Sequence, residues 1–150
     1  MLQRVGRSNM KYLTIWLVSA IAIAILLTSQ NVPTFRRLAT RGVEARGIVL
    51  ELHPEIHATL TYKYQVGGST FRGQTQPWPP NPPLQQIKVG QEVVIYYDPE
   101  HPEVSALGDP HLMLNNEISS VVLGAIGLPT FLVIVLKYRN FKIIPSRKSP

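Results

Sequence analysis

Two long apolar stretches frame this chain, and between them apolar residues alternate with polar ones. Leu13 to Leu27 is an unbroken run of apolar and small residues, extended by Tyr12, Thr28 and Ser29. Ile118 to Leu136 is a second such run. A hydrocarbon core of about 30 Å needs about 20 helical residues at about 1.5 Å each, which both runs approach. Each therefore predicts a transmembrane helix, over 12–29 and 118–136. A cleaved signal peptide is the competing reading of the first run. Against it, Thr28-Ser29-Gln30-Asn31 offers no small-x-small cleavage site, and the run is longer than most signal-peptide cores. An uncleaved signal-anchor is the expectation. For the second run, a helix apolar all round would need a large protein to surround it, and a chain of 150 residues leaves too little.

Between the runs the period changes to two. From His57 onward Ala58, Leu60, Tyr62, Tyr64 and Val66 fall on one face and Thr59, Thr61, Lys63 and Gln65 on the other, the pattern of a half-buried strand. Gly67-Gly68 supplies a tight hairpin turn, and a return strand follows over about Ser69 to Gln76. That turn sets Val66 against Ser69, Tyr64 against Phe71, Lys63 against Arg72 and Tyr62 against Gly73. Val43 to Leu52 predicts an earlier strand, ended by His53-Pro54. Glu92 to Tyr97 predicts a later one, with Val93, Ile95 and Tyr97 on one face and Asp98-Pro99 as its stop. Val104 to Leu107 adds a last short pairing. The expected fold is therefore a membrane protein, two transmembrane helices flanking a small all-β domain of four to five mostly antiparallel strands, sheet or barrel-like. Its domains run 1–11 (basic tail), 12–29 (span), 30–117 (β-domain, core about 41–107, Pro-rich loop 76–83), 118–136 (span) and 137–150 (basic tail).

Charge changes this picture by giving it a direction. The net charge is +6, yet the segment between the runs holds seven Lys or Arg and all nine acids, a net of −2. The surplus sits in Arg4, Arg7 and Lys11 before the first run and Lys137, Arg139, Lys142, Arg147 and Lys148 after the second. Lys and Arg near spans stay cytoplasmic. The first run is undecided, with Arg36, Arg37, Arg41 and Arg46 following it. The second decides, because no Lys or Arg lies between Asp98 and Glu117. Both termini are expected in the cytoplasm and the domain outside it, in the bacterial inner membrane. A basic stripe on a folded domain, which nucleic-acid binding needs, is missing, so no nucleic-acid partner is expected. Neither run contains an ionisable residue, which argues against a pump or transporter. The expected partners are the lipid bilayer and, through the small residues Ala20, Ala22, Ala24, Ser120, Gly124 and Gly127, other membrane proteins or further copies of the chain.

The run Val89-Gly90-Gln91-Glu92-Val93-Val94-Ile95-Tyr96-Tyr97-Asp98-Pro99-Glu100-His101-Pro102 resembles the end motif of the bacterial family called domain of unknown function 3592. Ala45-Arg46-Gly47-Ile48-Val49 and Tyr62-Lys63-Tyr64-Gln65-Val66-Gly67-Gly68 resemble its earlier strands. The resemblance covers roughly Arg41 to Leu107 and implies flanking membrane spans. It implies no activity and no catalytic residues.

Candidate chemistry is sparse. With no cysteine, thiol catalysis, Cys-ligated zinc and disulfides are excluded. His53 and His57 are four apart, as in helical zinc sites, but Pro54 opposes a helix and a competent site needs a third ligand. They are weak metal candidates, and no metal or other cofactor is expected. Asp98, Glu100, His101 and Glu103 gather possible cation ligands, though Asp-Pro-x-x-Pro reads better as a rigid stop after a strand. Gln76-Pro77-Trp78-Pro79-Pro80-Asn81-Pro82-Pro83 is a stiff, polyproline-like stretch. Trp78, Pro79, Pro80, Pro82 and Pro83 are the candidate partner contacts; otherwise the stretch is a connector whose Trp covers the sheet or meets lipid headgroups. The functional expectation is a membrane-anchored non-enzymatic binding or scaffold module, an accessory subunit of a membrane complex or an envelope sensor. The alternative is a membrane-bound hydrolase or metal-dependent enzyme using His53, His57, Asp98 or His101.

Overall fold

A computed structural model describes residues 2–142, with side chains described from Met10 to Arg139. Arg147 and Lys148 of the second basic tail lie outside the described residues, as do the side chains of Arg4, Arg7 and Lys142. Two long helices flank five strands: α1 (Leu2–Arg41), β1 (Val43–His53), β2 (Thr59–Val66), β3 (Ser69–Thr75), β4 (Glu92–Asp98), β5 (His101–Ala106) and α2 (Pro110–Lys142), with one 3₁₀ turn at Leu84–Gln86. The described residues form two compact units, residues 2–30 with 119–142, and residues 31–118.

In the helical unit, both helices are long and apolar enough to cross a membrane. Their most apolar windows are only 0% and 6% buried within the chain, so these side chains need an apolar medium outside it and do not form a soluble core. The helices touch. Trp16 Nε1 donates to Thr130 Oγ1 at 3.0 Å, and Thr130 Oγ1 donates to the Ile126 carbonyl at 2.6 Å, in the turn that Pro129 deprives of an N–H. A methyl added at Gly124 would stand 2.8 Å from Leu27 Cδ1, so the glycine admits close helix packing.

The β unit is a five-strand antiparallel, nearly closed barrel in the order β3-β2-β1-β4-β5. The hairpin register is the one that the Gly67-Gly68 turn dictates: Val66 opposes Ser69, Tyr64 opposes Phe71, Lys63 opposes Arg72 and Tyr62 opposes Gly73. Both glycines take positive φ, at 56° and 84°. Tyr64 and Phe71 stack at 5.8 Å between centroids. Leu50 is an extra residue in β1, between Val49 facing Tyr62 and Glu51 facing Thr61. Such a bulge bends a strand and raises its twist, which carries the sheet round until β3 approaches β5. There Tyr62 Oη and Ser105 Oγ are hydrogen-bonded at 2.9 Å, and Tyr64 Oη donates to the Pro102 carbonyl. The core is Val49, Leu60, Tyr62, Tyr64, Val93, Ile95 and Leu107, capped by Leu84 and Ile87. A second cluster joins Leu38, Ala106 and Met113 with Phe35, Trp78 and Val104.

Three expectations need correction. The first helix does not stop near 29 but continues to Arg41 through Pro33. Phe35 and Leu38 fall on one face of this extension, and Leu38 is 1% exposed; tertiary burial of an apolar face outweighs weak propensity. Strand β2 starts at Thr59 rather than His57, because His57 and Ala58 take φ of 49° and 54° in the preceding turn. Asp98-Pro99 does end β4, but no gap follows it. Asp98 pairs with His101 across a two-residue turn, so β5 begins at His101.

Candidate functional site

The Pro-rich stretch is a folded strap rather than a polyproline rod. Its chain turns at Pro79-Pro80, where the Asn81 N–H donates to the Trp78 carbonyl at 3.0 Å. The Trp78 N–H donates to the Leu107 carbonyl and the Asp109 N–H to the Pro79 carbonyl, both at 2.8 Å. Gly108, at φ 117°, passes so close to the Trp78 carbonyl that a Cβ would overlap it. Asn81, 8% exposed, fixes the far end. Its Nδ2 donates to the Val94 carbonyl and its Oδ1 accepts from the Val94 N–H, both at 2.7 Å. Strand β5 pairs only with Tyr96 to Asp98, so the Asn81 amide continues the ladder on β4 where β5 has ended. Of the candidate contact residues, Pro79, Pro80 and Pro83 are exposed, and Trp78 and Pro82 are half-buried.

Held in this way, Trp78 walls a cleft of about 360 Å³ within the β unit. Asn31 and Phe35 come from α1, Met113, Asn116 and Glu117 from the start of α2, and His57, Thr59, Gln74, Thr75 and Gln76 from the end of the barrel. The polar groups are partly tied to one another. Asn31 Nδ2 donates to Glu117 Oε1 at 3.2 Å, Gln74 Nε2 to Thr59 Oγ1 at 3.2 Å, and Gln76 Nε2 to the His57 carbonyl. A second cleft of about 350 Å³ shares Gln76 and Trp78 and continues over Pro77, Pro79, Pro83 and Leu84.

At the opposite end of β1, which pairs Val43 with Tyr97, the Asp98 side chain is fully buried among charges. Arg41 Nη2 stands 2.7 Å and Arg37 Nε 3.8 Å from Asp98 Oδ2, Arg41 also binds Glu100, and the Glu100 N–H donates to Asp98 Oδ1 at 3.1 Å. Desolvation pushes the Asp98 carboxyl up, but the hydrogen bonds from Arg41 and the Glu100 amide, with the charges of both arginines, outweigh it and hold the group below its usual range. This network clamps the end of α1 to the β4–β5 turn.

The candidate catalytic and metal residues are dispersed between these two ends. His53 Nε2 bonds Thr61 Oγ1 at 3.0 Å, with Glu51 and Glu55 at 3.6 and 3.9 Å. His57 lies in the cleft. Asp98 and His101 sit at the other end of β1, roughly 30 Å away at about 3.3 Å per strand residue. Among the described residues no group of three or more His, Asp or Glu could hold a metal ion. Asn31, Phe35, Arg41, Asn81, Met113 and Glu117 were not marked out by any sequence motif. Only the breaker-rich composition around Asn81 hinted at a fixed turn.

Residues 40–111 match the family model described as a domain of unknown function, DUF3592. No curated protein and no solved structure matches the chain.

Proposed function

We propose, from the premise that this chain carries a DUF3592 domain between two spanning helices, that it is a membrane-anchored, non-enzymatic binding module. It acts as an accessory subunit of a membrane complex or as an envelope sensor. Its β-domain lies outside the cytoplasm of a bacterial inner membrane, and both termini lie in the cytoplasm. The observation that carries the reading is the cleft around Trp78. Four separate stretches of chain converge on it, and the strap that forms its wall is anchored by six hydrogen-bonding groups of Trp78, Pro79 and Asn81. Binding sites are concave and furnished with a few fixed polar groups, and the cleft's concavity with its tethered Gln74 and Gln76 supports the reading. Because a fold alone names no function, the assignment rests on this surface. The Lys and Arg asymmetry around the second span supports the orientation.

A photo-crosslinking side chain placed at Gln76 in the full-length protein, in living cells, tests the reading against the same group at Lys88, which is exposed and outside the cleft. A discrete adduct from Gln76 and none from Lys88 is expected. Equal labelling from both positions, or none from either, would sink it.

A further inference from the structure

Resting on that reading, we infer that the cleft around Trp78 takes an uncharged, polyhydroxylated ligand: a neutral glycan chain. The charge of the walls points there first. The segment between the spans has seven Lys or Arg, yet none lines either the cleft or its continuation past Trp78. Among the described residues, a phosphate, a sulfate or an acidic peptide would meet no Lys or Arg there, only the imidazole of His57 beside one carboxylate, Glu117. Asn31 Nδ2 donates to Glu117 Oε1 at 3.2 Å, which fixes that carboxylate in place and leaves its other oxygen to accept from a ligand hydroxyl.

The hydrogen-bonding character of the walls is the second reason. Asn31, Gln74, Gln76 and Asn116 bring amides, and Thr59 and Thr75 bring hydroxyls. Each such group can both donate and accept, as can every sugar hydroxyl. Gln74 and Gln76 have their nitrogens held by Thr59 Oγ1 and the His57 carbonyl, so their amides are oriented before a ligand arrives and lose little freedom on binding.

Trp78 supplies the third. Its ring is half-buried against Leu38, Ala106 and Met113, and its backbone is fixed at both N–H and carbonyl. A rigid indole is an apolar platform for the C–H face of a pyranose, while the amides around it address the ring's edge. Two clefts, of about 360 and 350 Å³, share Trp78 and Gln76 as walls, and the proposed ligand is several linked sugar units with Trp78 between them. An extended peptide that adds to a sheet is recognised through an open strand edge. Here the walls carry amides, hydroxyls, an imidazole and a carboxylate around an indole.

The test uses the full-length protein in nanodiscs of zwitterionic lipid, with Trp16→Phe so that Trp78 is the only indole. Probes are a panel of neutral tetrasaccharides, including β-1,4-linked N-acetylglucosamine and α-1,4-linked glucose, with an anionic set of inorganic polyphosphate and polygalacturonate. At least one neutral glycan is expected to change Trp78 fluorescence saturably. Affinity should fall at least about tenfold, about 1.4 kcal/mol, in Gln76→Ala and Asn116→Ala. Both residues are exposed, so the domain keeps its fold. Absence of binding by every neutral glycan, equal binding of the anionic probes, or unchanged affinity in both variants would overturn the inference. A crosslinked peptide or protein from Gln76 with no glycan binding refutes the glycan and leaves the binding module standing, whereas no adduct and no glycan binding refutes both.

Discussion

Replacing Asn81 by Ala should destabilise the β-domain more than any exposed substitution in the strap. Two hydrogen bonds of 2.7 Å are lost, and they serve the N–H and the carbonyl of the same residue, Val94. A net hydrogen bond is worth about 1 kcal/mol, and a buried polar group left without a partner costs about 1–3 kcal/mol. Val94 is half-buried, so water recovers part of that loss, and the expected change is about 2–4 kcal/mol. For a unit of this size each kcal/mol moves the midpoint by about 4–8 °C, which makes the drop roughly 8–32 °C. The measurement is thermal unfolding of the full-length protein in micelles, followed by near-UV circular dichroism, with hydrogen exchange at the Val94 amide as the local readout. Asn81→Asp separates geometry from burial. Its carboxylate can still accept from the Val94 N–H but cannot donate to the Val94 carbonyl. Protonation restores the donor, so the folded state raises this carboxyl above its unfolded value of about 3.9. The variant's deficit should therefore be smallest in acid and grow as pH rises through the raised folded value. A midpoint for Asn81→Ala within about 3 °C of the parent, less than about 1 kcal/mol, would refute the reasoning, as would unchanged exchange at Val94.

Three further outcomes follow from other parts of the molecule. Asp98 is held below its ordinary range, so its contribution to stability is present above the unfolded value of about 3.9 and is lost as pH falls through the folded value; acid unfolding of Asp98→Asn should lack that component, and an identical acid profile would contradict the clamp with Arg41 and Arg37. Gly73→Ala drives a methyl into the Tyr62 ring and within 2.9 Å of Ser105 Oγ, an overpacking cost of about 1–3 kcal/mol, whereas Gly67→Ala meets open space and is penalised only by its φ of 56°; equal and negligible losses at both sites would argue against closure of β3 on β5. A periplasm-active reporter should work when inserted at Gly68 and fail when fused after Pro150, and the reverse pattern would overturn the orientation.

Legibility differed between the barrel and the cleft for a physical reason. The β2–β3 register was readable because a two-residue Gly-Gly turn and period-2 alternation each determine it, and they agree: Tyr64 cannot face Phe71 on the buried side in any other register. The β4–β5 hairpin was misread because Pro99 and Pro102 look like breakers from sequence. In the fold Pro99 occupies the turn, and Pro102 lies on a strand whose carbonyl, not its missing N–H, makes the contact, accepting from Tyr64. The extension of α1 to Arg41 was hidden for the converse reason. Thr28, Ser29 and Pro33 are local stop signals, but Leu38 and Phe35 gain burial against β5 and α2 that no local signal records.

Of the cleft, only Trp78 and its Pro-rich stretch were legible in the sequence, because the walls that meet them share neither period nor motif. Asn31 and Glu117 are 86 positions apart and meet only through the barrel's connectivity: α1 leads into β1, and β5 returns the chain to α2 beside it. That connectivity also explains why the Pro-rich strap is where it is. The strap has to carry the chain from the end of β3 to the start of β4, and the 3₁₀ turn after it drops Leu84 and Ile87 into the barrel's end. Trp78 is left over the gap between β5, the end of α1 and the start of α2, where it packs on the cluster of Leu38, Ala106 and Met113. Asn81 then does what a sixth strand would do at Val94, but with one side chain. The Asn81 amide satisfies Val94 on β4 and the Asn81 N–H holds the Trp78 carbonyl, so the stability of β4 and the position of the cleft wall depend on the same residue. Asn81→Ala should accordingly weaken ligand binding at Trp78 as well as lower the unfolding midpoint, whereas Gly73→Ala, acting at the β3–β5 seam, should lower the midpoint alone.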